Sequence, residues 1–453
     1  MIGTVITLGV VASVNLAIPS VREDHGIFAS VAERLVAGDL LYSGVWDNKE
    51  PIFYYALALG RLVDPAFDLM VELVWIALAG WAVHAIVRWR GATQRAALLV
   101  GAGLTPLLLT GGVTVAGYSH LPGTAVTLAA TACLLRGKPM AGGFLMASSL
   151  FVKILALPVA GLIGLTVLLV RRDLRGFWRW CLGALLAVVT FSAVLAARGE
   201  LLPWFVALYW NVAHTGTGGG VLSKLARTFM GPSTWSVPVV LTLLVVWNTR
   251  FRREREGDRA LGWGTLAGGI GGVVIVALTG LWTHHTQILL IGGALALALA
   301  APLQPTARSV AAMLVATILL GGVSLGKLQD AASSPWTRLN DLRTVQPLSA
   351  ELATRDGVSS YARVGSNDDR GHALGLRNLS LACPAFQQYD FDPPEWLDGI
   401  AACLPTADAI LVAPSVVHQA GEPDWNSYVD RVDAILRSYR CEEYATGRLC
   451  VRP

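Results

Sequence analysis

The residues able to do chemistry crowd into one polar stretch near the start of the chain. Arg22-Glu23-Asp24-His25-Gly26 and then Trp46-Asp47-Asn48-Lys49-Glu50-Pro51-Ile52-Phe53-Tyr54-Tyr55 set carboxylates, an imidazole and an ammonium beside aromatics. Asp24 is the first candidate for a catalytic role, because a carboxylate in a cavity can take the proton of a hydroxyl nucleophile. It follows an apolar segment, and Gly26 close behind lets the backbone bend into such a cavity. Glu23 and Asp24 would equally suit the N-terminus of a helix, where the dipole favours acids; capping and catalysis are compatible.

Lys153 is a second anomaly, flanked by Leu150-Phe151-Val152 and Ile154-Leu155-Ala156-Leu157-Pro158. A lysine in such a run either snorkels to water or offers a point charge to a phosphate. Lys49 is another candidate cation, its ordinary reading being a surface ion pair with Asp47 or Glu50. Of the eight histidines, His25, His120, His214, His284, His285, His372 and His418 fall on the outer side of the membrane topology derived below, and His84 does not. His284 and His285 are adjacent, so at most one enters a shared site from a helix. Asp24, His120 and His285 could converge on a divalent cation, but no HExxH or CxxC spacing occurs, so no metal ligand set is named. The absence of a P-loop or a GxGxxG after a strand argues against a nucleotide-sugar donor.

The elements that must position these residues are membrane helices. Hydrophobic residues make up 54% of the 453-residue chain and charged residues 15%, against about 25% charged in soluble domains. Several apolar runs approach the roughly 20 residues that cross a bilayer. They are continuous rather than alternating, which means helices rather than a barrel. Eleven spans are expected, near 2–19, 66–87, 96–113, 119–135, 139–152, 154–170, 178–197, 235–247, 260–281, 286–303 and 308–326. The first lacks a basic start and an A-x-A-like site, and reads as retained rather than cleaved. Arg88, Arg90, Arg95, Arg136, Lys138, Arg171, Arg172, Arg175, Arg179, the run from Arg250 to Arg259, and Arg308 fall in alternate loops. The positive-inside bias therefore puts the N-terminus in the cytoplasm of a multi-pass plasma-membrane protein and residues 327–453 outside. That outer part holds 12 basic and 17 acidic residues, against 23 and 14 elsewhere. The basic excess thus sits in short loops between spans, which speaks against nucleic acid as a partner.

Two shorter apolar pieces lie in the first outer loop, 20–65. Residues 51–63 stop at Asp64-Pro65, and 27–36 carries Ile27, Val31 and Leu35 on one face, so both read as interfacial helices. A second outer loop, 198–234, carries Trp204, Trp210 and Asn211. In the C-terminal part, Tyr361–Val364 and Ala409–Val412 read as buried strands, 427–439 as an amphipathic helix and Tyr444–Val451 as a hairpin, a small α/β domain. It holds Cys383, Cys403, Cys441 and Cys450, whereas Cys133 and Cys181 fall in spans. Four cysteines in one extramembrane domain point to an oxidising compartment. Cys441 and Cys450 could pair across the hairpin, with Cys383 and Cys403 as the other bridge; three connectivities are open on sequence alone.

The run Glu23-Asp24-His25-Gly26-Ile27-Phe28, Gly38-Asp39-Leu40-Leu41-Tyr42 and Asp47-Asn48-Lys49-Glu50-Pro51-Ile52-Phe53-Tyr54-Tyr55 resembles the first outer loop of polyprenyl-phosphate-sugar-dependent GT-C glycosyltransferases. Protein O-mannosyltransferases and lipid A aminoarabinose transferases are of this kind. Tyr209-Trp210-Asn211 is similar to an aromatic-Asn element of their later outer loop. His284-His285 stands where many members have a His-Tyr pair, and Lys153 where related enzymes carry a lysine near the donor phosphate. The chain differs from the pattern in having Asp24-His25 for Asp-Glu, Glu50-Pro51 for Pro-Pro, and His120 where many relatives have an acid.

The resemblance implies an all-α polytopic bundle of about eleven transmembrane helices, residues 1–326, with a small extracytoplasmic α/β domain, 327–453. It implies a single displacement at the anomeric carbon of a polyprenyl-phosphate sugar, with Asp24 as the general base on an acceptor hydroxyl. Phosphate leaves unprotonated, so one carboxylate suffices, unlike glycoside hydrolysis. Lys153 or Lys49 would face the phosphate, and Glu23, His25, Tyr54, His120, Asn211, His284 and His285 would contact substrate. The implied partners are the lipid-linked donor, an extracytoplasmic glycan, lipid or protein acceptor, and the membrane; a divalent cation stays open as cofactor. The rival readings are a transporter or flippase for a lipid-linked sugar, which paired broken helices would mark, and a non-enzymatic cell-envelope assembly factor.

Overall fold

The structure is a computed structural model that describes residues 2–17, 24–109, 119–214, 256–279, 283–321, 347–365, 375–385, 388, 392 and 394–453. For Asp24, His25, Trp210, Asn211, His214 and His284 the description is of the backbone. Through these residues run helices α1 (Ile2–Ala17), α2 (Asp24–Val36), α3 (Pro51–Arg61), α4 (Asp68–Trp89), α5 (Gln94–Leu109), α6 (His120–Leu135), α7 (Pro139–Val152), α8 (Ala156–Arg171), α9 (Leu174–Ala197), α10 (Leu201–His214), α11 (Glu256–Leu278), α12 (Leu289–Ala300) and α13 (Ala307–Gly321). Helix α14 (Pro347–Ala353), strands β1 (Ser360–Val364) and β2 (Ser380–Leu381), α15 (Pro394–Cys403), β3 (Ala409–Val412), α16 (Pro423–Leu436), β4 (Arg440–Tyr444) and β5 (Gly447–Val451) follow. They form two compact units. The first is Met1–Pro19, Leu69–Leu195 and Tyr209–Pro335; the second is Ser20–Asp68, Ala196–Leu208 and Trp336–Pro453.

The first unit is helical. Ten of the expected spans coincide with apolar helices, and the eighth, 235–247, lies outside the described residues. Three helical stretches, Pro65–Trp89, Leu174–Ala197 and Gly257–Val276, are long and apolar enough to cross a membrane, whereas the other apolar helices run 10–17 residues. Among the described residues, length and composition thus mark three crossings, and the expected eleven are not confirmed. The helices pack through a core that includes Val83 and Ile86 on α4, Val100 and Leu104 on α5, Leu128 on α6 and Leu295 on α12. Backbones approach closely where side chains are absent: a Cβ on Gly80 would sit 2.7 Å from the Gly101 carbonyl oxygen, the small-residue contact that membrane helices favour. Arg90 donates to Asp258 (2.8 Å), to the Ala298 carbonyl of α12 and to the carbonyl of Ala301 just after it. Arg171 donates to Leu134 and Leu135 at the end of α6. Basic side chains thus satisfy orphan helix carbonyls and oppose the negative dipole end.

The second unit is built on a five-stranded sheet of order β2-β1-β3-β5-β4. β1 is parallel to β2 and β3, and β5 is antiparallel to β3 and β4. One face of the sheet, with Ala362, Val364, Ile410 and Val412, is buried with Leu397 and Ile400 of α15 and Tyr428 and Val432 of α16. Disulfides join Cys383 to Cys403 and Cys441 to Cys450. Cys441 and Cys450 are opposite residues of the β4–β5 ladder. The helix expected from 427 begins at Pro423, which takes the first helical position that suits its missing N–H. The hairpin expected from Tyr444 begins at Arg440; β4 is an edge strand with exposed polar residues, so it lacks the apolar alternation that marks a strand.

The stretch read from sequence as the first outer loop belongs to this second unit. α2 begins at Asp24, three residues before the expected start. α3 opens on Pro51 and ends at Arg61, after which Asp64 caps a short 3-10 turn by accepting from the Ala66 amide at 2.7 Å. Trp46 reaches the sheet region: its amide donates to the Pro384 carbonyl at 2.6 Å and its ring lies 4.4 Å from that of Trp396.

Candidate functional site

Within the second unit the first-loop candidates gather around α2. Glu23 lies outside the described residues. Asp24 and His25 form the first turn of α2, where unpaired amides and the positive dipole end favour an anion. One turn on, the buried Phe28 ring meets Phe53 edge-on at 5.1 Å and Tyr54 at 6.0 Å. Lys49 Nζ stands 5.8 Å over that ring and donates to Asn48 Oδ1 at 2.7 Å. Its partners are therefore Phe28 and Asn48 rather than Asp47 or Glu50, so the surface-ion-pair reading gives way. Both of those carboxylates are buried.

Sequence reasoning treated Asp47 and Glu50 only as partners for Lys49. They prove to be the core of the loop. Tyr42, in the left-handed region at φ 69°, donates to the Lys49 carbonyl at 2.8 Å. Burial first, and then Glu50 and Asp47, push its phenol pKa well up. Tyr54 is wholly buried, and burial followed by Asp47 raises it in the same way. Both phenols are thus held as neutral hydroxyls. Glu200, missed from sequence, is also buried; it accepts from the Tyr55 hydroxyl, from the Leu41 amide (3.1 Å) and from Arg198 Nε (3.2 Å). This network fastens the start of α10 to the loop.

In the first unit three other candidates meet at the start of α6. His120 is buried, with its ring 5.1 Å from that of His285. His285 Nδ1 lies 2.8 Å from Thr279 Oγ1, which orients the ring. Lys153 occupies the break between α7 and α8, in extended conformation at φ −163°. Its Cβ packs where Gly123 has none: a methyl on Gly123 would be 2.7 Å away. At 3% exposure Lys153 is enclosed by protein, which sets aside the snorkelling reading. His284 falls in a 3-10 turn, Thr283–Ile288, and Asn211 near the end of α10, both described by backbone. His418 pairs at the surface with Asp430 (2.9 Å); His372 lies outside the described residues.

At α6 and α7 lies a feature that no motif announced. Ser119 Oγ, Thr124 Oγ1, Thr127 Oγ1 and Ser149 Oγ are buried without a hydrogen-bond partner. Thr124 and Thr127 follow His120 at four- and seven-residue spacing, hence on one face of α6. Thr131 on the same face takes the ordinary course of bonding back to the Thr127 carbonyl (2.9 Å). Buried hydroxyls without partners are costly, so such a set is suited to receiving water or ligand oxygens. An ammonium with four hydroxyls and two imidazoles has the donors an oxyanion needs. Among the described residues no group of three or more His, Cys, Asp or Glu could hold a metal; the divalent cation weighed from Asp24, His120 and His285 stays an expectation.

No family model and no curated protein sequence matches the chain. Solved structures do. ArnT from Cupriavidus metallidurans, in a crystal structure bound to undecaprenyl phosphate, aligns with TM-score 0.59 at 15% identity, over 99% of this chain and 97% of that one. The archaeal oligosaccharyltransferase AglB from Archaeoglobus fulgidus, in complex with an inhibitory peptide and a dolichol-phosphate, gives TM-score 0.47 at 9% identity, over 100% of this chain and 74% of that one. The first alignment runs nearly end to end in both chains, so the chain shares the fold of that ArnT structure.

Proposed function

We propose that this chain is an integral membrane glycosyltransferase that moves a sugar from a polyprenyl-phosphate donor to an acceptor hydroxyl on the extracytoplasmic side. The observation that carries the reading is the end-to-end likeness of fold to ArnT, a protein captured with undecaprenyl phosphate. The disulfides Cys383–Cys403 and Cys441–Cys450 support an oxidising, extracytoplasmic setting for the sheet.

In this reading Asp24 takes the proton of the acceptor hydroxyl as its oxygen attacks the anomeric carbon. The bond from that carbon to the phosphate oxygen breaks, and its electron pair leaves with the polyprenyl phosphate. Negative charge grows on the phosphate, so fixed donors aimed at it lower the barrier. Lys153 with the hydroxyls of Ser119, Thr124, Thr127 and Ser149 is one candidate cradle, and Lys49 is the alternative cation. Glu23, His25, Tyr54, His120, Asn211, His284 and His285 are the candidate contacts to sugar and acceptor.

The rival, a transporter or flippase, draws on the break between α7 and α8. Proteoliposomes of the full chain with radiolabelled polyprenyl-phosphate sugar decide between them. Label moved to an acceptor supports transfer. Label that only crosses the bilayer supports transport, and label that does neither overturns both.

A further inference from the structure

The second unit contains a charge network that the transfer chemistry does not use. Glu33 of α2, Arg61 at the end of α3, Asp68 at the start of α4 and Arg377 in the turn before β2 meet in one cluster. Arg61 Nη1 donates to Glu33 Oε1 at 2.9 Å, while its Nε and Nη2 donate to Asp68. Arg377 Nε donates to the other oxygen of Glu33 at 2.6 Å, and its Nη2 to the Arg61 carbonyl at 3.1 Å. The side chains of Glu33 and Asp68 are 0% exposed and that of Arg61 2%, whereas that of Arg377 is 40% exposed. Burial works against the Arg61 charge, but Asp68 and then Glu33 outweigh it and raise its pKa.

These four groups sum to zero charge. Without Arg377, one oxygen of the buried Glu33 carboxylate loses its charged donor, and Glu33 is left with Arg61, which it shares with Asp68; breaking such a buried pair is costly. The next residue makes a reciprocal tie. Arg34 of α2 donates to the Leu376 carbonyl at 3.0 Å and the Leu379 carbonyl at 2.6 Å, the two ends of the turn that holds Arg377. Arg34 Nε is held in turn by Asp39 at 2.7 Å. The helix thus grips the turn through its carbonyls, and the turn neutralises the helix through its guanidinium.

We infer that Arg377 is a positioning residue: by neutralising Glu33 it locks α2, the helix that opens with Asp24, against the C-terminal sheet region. The sheet then serves as the clamp of the first outer loop. Its consequence for catalysis rests on the transfer reading above; the clamp itself does not.

The test uses the full chain in lipid nanodiscs and four forms: wild type, Arg377→Ala, Arg377→Lys and the double variant Glu33→Gln with Arg377→Ala. Amide hydrogen exchange is read across 24–36 and, as a control, across 409–412. Arg377→Ala is expected to speed exchange in α2 by roughly tenfold or more, an uncompensated buried charge being strongly destabilising, and to leave β3 unchanged. The double variant restores neutrality and is expected to return to within about threefold of wild type, the coupling a shared network shows; Arg377→Lys, which keeps the charge, falls between. In the transfer assay kcat follows the same order while the donor KM stays within about twofold, since the lost contact does not touch donor. Unchanged exchange in Arg377→Ala overturns the clamp. A double variant as impaired as Arg377→Ala overturns charge balance as its basis. If no form transfers sugar, the exchange data still decide the clamp, and it is the transfer reading that fails.

Discussion

The two units treat buried polar groups in opposite ways. In the second, charge meets charge: Glu33 and Asp68 share Arg61, Arg377 completes Glu33, and Glu200 collects Tyr55, Arg198 and the Leu41 amide. In the first, at α6 and α7, the hydroxyls of Ser119, Thr124, Thr127 and Ser149 are buried with nothing to bond. A satisfied network stores cohesion, and removing one member exposes the whole desolvation cost of the rest. An unsatisfied set costs stability in the empty protein and repays it only when something binds. The contrast separates groups whose bonds are made within the fold from groups open to a ligand's oxygens more sharply than burial does, because Glu33, Asp68 and Glu200 are as buried as the four hydroxyls.

That contrast can be broken by measurement. The largest effect is expected at the residue that belongs to neither class: Asp24→Asn should cut sugar transfer by roughly 10²–10⁴-fold, the usual contribution of a general base, measured as label reaching the acceptor. Full activity in that variant refutes the assignment. Next, Arg61→Ala should cost about 3–5 kcal/mol, the effect of removing one partner from a buried ion-pair network, seen as a lower thermal midpoint of the detergent-solubilised chain. Thr127→Ala and Ser149→Ala should behave the other way round. With no lipid present each should be neutral or stabilising by up to about 1 kcal/mol, because an orphan hydroxyl is removed. The same changes should weaken polyprenyl-phosphate binding by roughly two- to tenfold, the worth of one hydrogen bond, in a thermal-shift titration. A destabilised empty protein would show that these hydroxyls are structural.

The smallest effect concerns the C-terminal sheet alone. Asp408 accepts from the amides and hydroxyls of Ser359 and Ser360 at 2.7–2.9 Å. The Ser359 bonds first, and then those of Ser360, lower its pKa to about 2. The folded value lies below the unfolded one, so this stabilisation is complete above about pH 4 and is lost as pH falls through about 2. Asp408→Asn should flatten the acid limb of unfolding over that window, and an unaltered limb would refute the assignment.

Much of the architecture is legible along the chain because its signals are local. Continuous apolar runs mark α1, α4 to α9 and α11 to α13, since a bilayer-compatible helix must be apolar along its length. Tyr361–Val364 and Ala409–Val412 announce themselves as fully buried strands. Lys153 stands out because an ammonium in an apolar run is rare. Other features leave no local trace. β4 and β2 are polar or short, so no periodicity betrays them. The hydroxyls of Thr124 and Thr127 on α6 belong to ordinary-looking helix threonines, and only the fold shows that they are buried without a partner. Asp47 and Glu50 read as loop acids next to a lysine, yet they are the buried centre of that loop, and the lysine turns to Asn48 and a ring instead.

By itself the amino-acid order determined a chain of apolar helices with a polar first loop, a small C-terminal α/β domain with four cysteines, and a short set of ionisable residues suited to acid–base and phosphate chemistry. These follow from composition and from periodicity within one turn or one strand. Only the tertiary structure decided that Arg377 completes the charge of Glu33, that Gly123 admits Lys153, and that the first loop and the C-terminal sheet form one unit. Glu33 and Arg377 are 344 positions apart. A buried charge accepts its partner from any sequence distance, because what selects the partner is the exclusion of water at the meeting point, and that exists only once the chain has folded.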